Sequence, residues 1–196
     1  MMNSFWWGSG SGGSRGINWM RWDRLCVRKY QGRLGFCKLH EFNLAMLGKS
    51  GWRLLLHPDS LVGRLYKSRY YPNSNFLEAT LSNNPSYIWR SIIASQPLVR
   101  SGAQWRVGKG DRIKIWTDSW LPDDSNPRVM SLVIQGSEEA VVRGLIRTDE
   151  RLWDQDILRD LFNDRDRDLI NKIPLSCRDN EDRIYWRPDR KGEYTV

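Results

Sequence analysis

The chain has 196 residues, with 31 Lys and Arg against 23 Asp and Glu and a net charge of +8. With 40% hydrophobic residues and a mean hydropathy of −0.62, it has the composition of a polar globular protein. Its most compact apolar run, Leu54-Leu55-Leu56 between Arg53 and His57, falls far short of the ~18 residues a membrane-spanning helix needs, which excludes that class.

The charge is unevenly placed. Up to Trp120 there are 18 Lys/Arg and 6 Asp/Glu, whereas from Leu121 onward 13 stand against 17. Nine of the eleven Trp lie in the basic part, and over the chain Arg outnumbers Lys by 23 to 8. Guanidinium groups fork onto phosphates and indoles offer stacking faces, so a polyanionic partner, RNA or DNA, is one expectation. A solvated basic surface over an aromatic core is the other.

Three cysteines, Cys26, Cys37 and Cys177, cannot all pair and show no regular spacing, which favours a reducing, intracellular compartment. Phe5-Trp6-Trp7 gives way at once to Gly and Ser, so no secretory signal core follows. Arg15 and Arg21 with no acid before Asp23 give a faint echo of an organellar transit peptide, and nucleus and mitochondrion both stay open.

In chain order, Gly8 to Gly16 is predicted as a flexible loop. Gly8, Gly10 and Gly13 formally satisfy G-x-G-x-x-G but lack the strand before and the helix behind that dinucleotide binding requires. From Glu41 to Leu56 the positions Phe42, Ala45, Met46, Trp52, Leu55 and Leu56 mark a helical face. Asp59 is expected to cap a second helix with Leu61, Val62, Leu65 and Tyr66 inside and Arg64, Lys67 and Arg69 outward, ending before Pro72. Ser86 is expected to cap a third, in which Trp89, Ile92 and Ile93 share a face up to Pro97.

Gln104–Val107 and Arg112–Trp116 flank Gly108-Lys109-Gly110-Asp111 and read as a β-hairpin. Alternation turns Trp105, Val107, Ile113 and Ile115 toward the core and Arg106, Arg112, Lys114 and Trp116 away from it. Leu121 to about Gly136 reads as a connector. Asp154 can cap a helix carrying Ile157, Leu158, Leu161 and Phe162, and Asp164 can start another carrying Leu169, Ile170 and Ile173. Arg183–Trp186 and Glu193–Val196 around Asp189–Gly192 form a second expected hairpin, whose return strand is still running at Val196. The fold class is therefore α+β, mainly helical with short β-hairpins, in two small units with an incomplete C-terminal end. The divisions fall at 1–35, 36–120, 121–150 and 151–196.

Chemical motifs are few. Gly48-Lys49-Ser50 resembles the end of a P-loop, but Asn43 stands where its first Gly belongs. Cys26, Cys37, His40 and His57 have irregular spacing for a zinc site, and no nucleophile elbow accompanies either His. Asp164, Asp166 and Asp168 alternate like calcium ligands, yet Leu169 replaces the required Gly and no Glu stands at Leu175, so a solvated face with local ion pairs is expected. No metal, cofactor or catalytic set is expected. What rises above background is a nucleic-acid-binding set: Arg106, Lys109, Arg112, Lys114 and Trp116 on the hairpin, joined by Arg64, Lys67 and Arg69. Against it, Trp116 and Trp120 would simply close the core.

A series of short segments, taken together, resembles one family. They are Phe5-Trp6-Trp7-Gly8, Trp22-Asp23-Arg24-Leu25-Cys26, Gly32-Arg33-Leu34-Gly35-Phe36, Phe42–Leu55, Tyr70-Tyr71-Pro72, Ser86–Ile93, Trp105–Gly110 with Ile115–Pro122, and Asp182–Trp186 with Gly192–Val196. In this order and spacing the chain resembles plant LINE-type (non-LTR) retroelement reverse transcriptases, in the region between the polymerase domain and the zinc-binding and ribonuclease H segments. Arg33 stands where the family usually has a second Gly, and Gly102-Ala103-Gln104 replaces its more standard approach to the hairpin. The resemblance implies a post-polymerase connector. The paired-aspartate palm motif, the zinc-binding Cys and His and the ribonuclease H carboxylates of such proteins have no matching position here, so no enzymatic activity is expected. The alternatives are a structural relic or interaction module, or a part of a longer RNA-directed DNA polymerase and ribonuclease H protein.

Overall fold

The computed structural model describes residues 2–7, 17, 19–81, 83–147, 149–176 and 180–196. The stretch 8–16, with Gly8, Gly10 and Gly13, and Cys177 lie outside the described residues. Two short helices come first, α1 (Met2–Trp6) and α2 (Trp22–Leu25). The Phe36 ring lies 4.7 Å from that of Trp6 and 5.4 Å from that of Trp22, and Phe36 N donates to the carbonyl of the buried Leu25 at 3.0 Å.

Helix α3 (Leu39–Leu56) forms over the span expected from 41–56, but its face is turned: Phe42, Met46 and Leu56 are exposed, while Trp52 and Leu54 are buried with the two glycines. Its two interior glycines are poor helix formers, and packing explains them. A Cβ on Gly48 would overlap the Tyr194 hydroxyl, and one on Gly51 would stand 2.6 Å from Phe76 Cζ.

Helix α4 (Leu61–Tyr70) is capped by Ser60, whose hydroxyl accepts from Gly63 N at 3.1 Å, and not by Asp59. Its face is turned from the expected one. Leu61, Val62 and Leu65 are 83%, 57% and 63% exposed, while Gly63 is buried and Tyr66 and Tyr70 are half-buried. The tyrosines win the inner side because the Trp89 indole offers them ring partners at 5.6 and 4.7 Å.

Helix α5 (Tyr87–Ala94) is capped by Ser86 and buries Trp89, Ile92 and Ile93 as expected. Pro97 then opens a further helix, α6 (Gln96–Gly102), at a first-turn position where its missing N–H costs nothing.

The first expected hairpin does not form. Strand β1 (Ala103–Arg106) pairs antiparallel with the most C-terminal strand, β4 (Arg183–Trp186), matching Trp105 to Ile184 and Arg106 to Arg183. The reason is one carboxylate. Buried Asp182 accepts from the backbone N–H groups of Gly108, Gly110 and Arg112 at 2.7, 2.8 and 2.9 Å, so these donors serve a loop wound round a side chain instead of a ladder. Gly110 holds φ +79°, and a Cβ on Gly108 would overlap the Asn180 carbonyl oxygen, so the loop uses both glycines. Ile113 and Ile115 then bond to Val142 N and Ala140 O and stay core-facing, as alternation expects.

Downstream lie the short strands β2 (Ile146–Arg147) and β3 (Leu152–Trp153), which pair with each other, then α7 (Gln155–Leu161) and α8 (Asp164–Asn171). Asp154 caps α7, and Asn163 caps α8. Asp164 and Asp168 are exposed, but Asp166 departs from the solvated-face expectation. It is fully buried and accepts from Met130 N, Ser131 N and Ser131 Oγ at 2.8, 2.7 and 2.6 Å. The second hairpin is also incomplete: Trp186 N bonds to Gly192 O at 2.8 Å, after which 193–196 form no strand. Tyr194 goes inward instead, its hydroxyl donating to Ala45 O at 3.0 Å.

The fold is α+β and mainly helical, around two clusters of buried side chains. The first joins Trp52, Phe76, Trp89 and Val99 to Trp186 and Tyr194; the second joins Ile113, Ile115 and Trp120 to Leu121, Val142, Leu158 and Ile170. Strand β1 serves both, with Ala103 in the first and Trp105 packed against the second. Among the described residues no helix is long and apolar enough to cross a membrane.

Candidate nucleic-acid interface

Pairing of β1 with β4 sorts the side chains by strand alternation. Ala103, Trp105, Ile184 and Trp186 share one face, and Gln104, Arg106, Arg183 and Tyr185 share the other. Each face borders a concavity.

On the Trp105 side a cleft of about 250 Å³ is lined by Lys67 from α4, by Arg112 and Lys114, and by Glu78 and Asp118. The Arg112 guanidinium lies over the Trp105 ring at 5.7 Å from its centroid. Lys114 Nζ pairs with Glu139 at 2.7 Å, a hydrogen bond that raises its pKa. Burial pushes the Asp118 carboxyl up, opposed by the hydrogen bond that it accepts from Lys114 N.

On the other side a groove of about 420 Å³ is lined by Arg106, Arg183, Tyr185 and Lys172, among others. Arg106 stands 5.3 Å from the Tyr185 ring centroid. Burial raises the Tyr185 phenol, while the Arg106 and Arg187 charges pull it back.

The expected site residues therefore divide. Lys67, Arg112 and Lys114 meet on one cleft, and Arg106 belongs to the opposite groove. Arg64 and Arg69 are exposed on α4, the latter over the Tyr70 ring at 5.5 Å, and Lys109 rides the loop held by Asp182. Trp116 is half-buried, stacked on Phe162 with centroids 5.6 Å apart, and its indole N–H donates to Ser137 O at 2.7 Å. Trp120 lies in the second core and donates to Ile115 O. Sequence reasoning missed Arg183, Tyr185 and Lys172. The alternation in Arg183-Ile184-Tyr185-Trp186 marked a strand, but nothing local named its partner.

Charge compensation differs between the halves. Downstream, Arg143, Arg147, Arg159, Arg165 and Arg167 each pair with an Asp. By contrast Arg64, Lys67, Arg69, Arg106, Lys109 and Arg112 have no carboxylate within 4 Å among the described residues. The described residues contain no group of three or more His, Cys, Asp or Glu placed to hold a metal ion.

A mixed α+β protein that carries several cations without carboxylate partners among the described residues is the class these features define. The chain is 40% identical over 125 residues to the uncharacterized mitochondrial protein AtMg00310 of Arabidopsis thaliana, a match covering 63% of this chain and 80% of that protein. It belongs to the family of that protein. It is also 31% identical over 124 residues to the "Putative ribonuclease H protein At1g65750" of the same plant, covering 62% of this chain but only 20% of the relative. Both relatives are plant proteins, in keeping with the resemblance drawn from the motifs. No protein-family profile matches the chain. No solved structure matches it.

Proposed function

We propose that the chain is a retroelement-derived, non-catalytic module whose basic half holds the phosphate backbone of RNA or DNA. The carrying observation is the set of six cations without carboxylate partners among the described residues, two of which, Lys67 and Arg112, line one cleft beside Lys114, itself paired with Glu139. Guanidinium and ammonium groups without carboxylate partners gain most from a polyanion, because binding releases condensed counterions. The non-catalytic part is supported by the use made of the buried carboxylates. Asp166 and Asp182 are both committed to backbone N–H groups. The ribonuclease H of the second relative's name describes a protein of which this chain spans one fifth.

Fluorescence anisotropy with a labelled single strand and a duplex, at 50 and 200 mM salt, tests the proposal. Four phosphate contacts to a single strand give an expected loss of about fifty-fold over that range. Lys67→Gln and Arg112→Gln are each expected to reduce the salt slope by about 0.7. Binding that is absent, or indifferent to salt, refutes it.

A second reading, an interaction module, is favoured by the outward Leu61, Val62 and Leu65 on α4. Self-association that Leu61→Lys with Leu65→Lys abolishes, while nucleic-acid affinity stays absent in both proteins, would favour it.

A further inference from the structure

The groove on the Arg106 face has features that simple charge neutralisation does not require. Arg106 and Arg183 are direct cross-strand partners, an arrangement in which like charges repel. Neither has a carboxylate within 4 Å among the described residues, and in the described lining Lys172 adds a third cation against the carboxylate of Glu181. The Arg106 guanidinium carbon lies over the Tyr185 ring, 5.3 Å from its centroid, and Arg106 is an exposed residue. A guanidinium beside an aromatic ring can serve as a platform for an unpaired base, and a base inside a duplex cannot present its face to one. The volume of about 420 Å³ lies within the range of small-ligand sites.

We propose that this groove seats one unstacked nucleotide of a single-stranded nucleic acid, its base laid on the Arg106–Tyr185 platform and its phosphate between Arg183 and Lys172. The proposal rests on the nucleic-acid reading above and adds a preference for exposed bases, on the face opposite to the Lys67–Arg112–Lys114 cleft.

The test compares a labelled ten-residue oligothymidylate with an abasic strand of the same length and charge, measured by anisotropy against the full chain. Base stacking of ordinary strength gives the oligothymidylate an expected advantage of about fivefold or more. Arg106→Lys keeps the charge but removes the planar platform, and is expected to erase that advantage. Arg183→Gln is expected to weaken both strands alike, and Tyr185→Phe to retain the preference that Tyr185→Ala loses. Unaltered thermal melting of Arg106→Lys, a conservative change at an exposed position, separates loss of the platform from loss of the fold. Equal binding of the two strands by the unsubstituted protein, or a preference that survives Arg106→Lys, overturns the groove proposal and leaves the backbone-binding function standing. Failure to bind either strand overturns both.

Discussion

Replacing Asp182 probes how the two distant halves are tied together. Its carboxylate accepts from Gly108 N and Gly110 N with one oxygen and from Arg112 N with the other. In Asp182→Ala the two buried donors lose every partner, at about 1–3 kcal/mol each, while Arg112 N is half-buried and can turn to water. The removed charge also no longer has to be kept out of solvent, which offsets part of the loss. The net expectation is about 3–5 kcal/mol, a large fraction of the stability of an ordinary domain. Asp182→Asn keeps one oxygen for Gly108 and Gly110 and sets an amide against Arg112 N–H, so about 1–3 kcal/mol is expected. In urea, followed by tryptophan fluorescence, a denaturant slope of about 2.5 kcal/mol/M converts the alanine effect into a midpoint lowered by about 1–2 M. Amide exchange at Gly108 and Gly110 should accelerate in step. The reasoning fails if Asp182→Ala unfolds within about 0.5 kcal/mol of the unsubstituted protein, or if Asn costs as much as Ala.

Gly102→Ala places a Cβ on the Trp186 ring, which itself packs on Trp52 and Tyr194, and is expected to cost about 1–3 kcal/mol in a thermal melt. Gly144→Ala meets nothing within 4 Å and should change stability by less than about 0.5 kcal/mol. Hydrogen bonds from the Ser125 hydroxyl and then from Arg165 hold the Asp123 carboxyl well below the usual carboxylate range. Its folded pKa therefore lies below the unfolded value of about 3.9, and its contribution is complete above that value and lost as pH falls toward the folded one. Asp123→Asn should flatten the acid side of the stability profile below about pH 4, read from urea midpoints taken between pH 2 and 7, and leave the shape above it unchanged.

What could be read from the sequence was local. The Ser86 cap and the trio Trp89, Ile92 and Ile93 lie within one helix, where spacing alone fixes the buried face. Leu61, Val62 and Leu65 look equally apolar, yet the inner side of α4 is decided by a ring on another helix, which no pattern within 61–70 encodes. Gly108-Lys109-Gly110-Asp111 looked like a turn between two strands because turn chemistry is visible and the hydrogen-bond acceptor is not. That acceptor, Asp182, comes from the far end of the chain. The same distance hid the groove. Arg106 was evident as an outward cation, but its neighbours Arg183 and Tyr185 are supplied by β4.

The inward placement of Trp186 and Tyr194 has a bearing on how the chain is made. Every other buried residue of the first hydrophobic cluster has been synthesised by Ala103, but the surfaces around Trp52 and Gly48 stay open until roughly ninety more residues leave the ribosome. At translation speeds of about 5–20 residues per second, a nascent helical layer must persist for roughly 5–20 seconds with its apolar flank uncovered. During that interval it is open to aggregation, and to chaperones that recognise exposed aromatic surface.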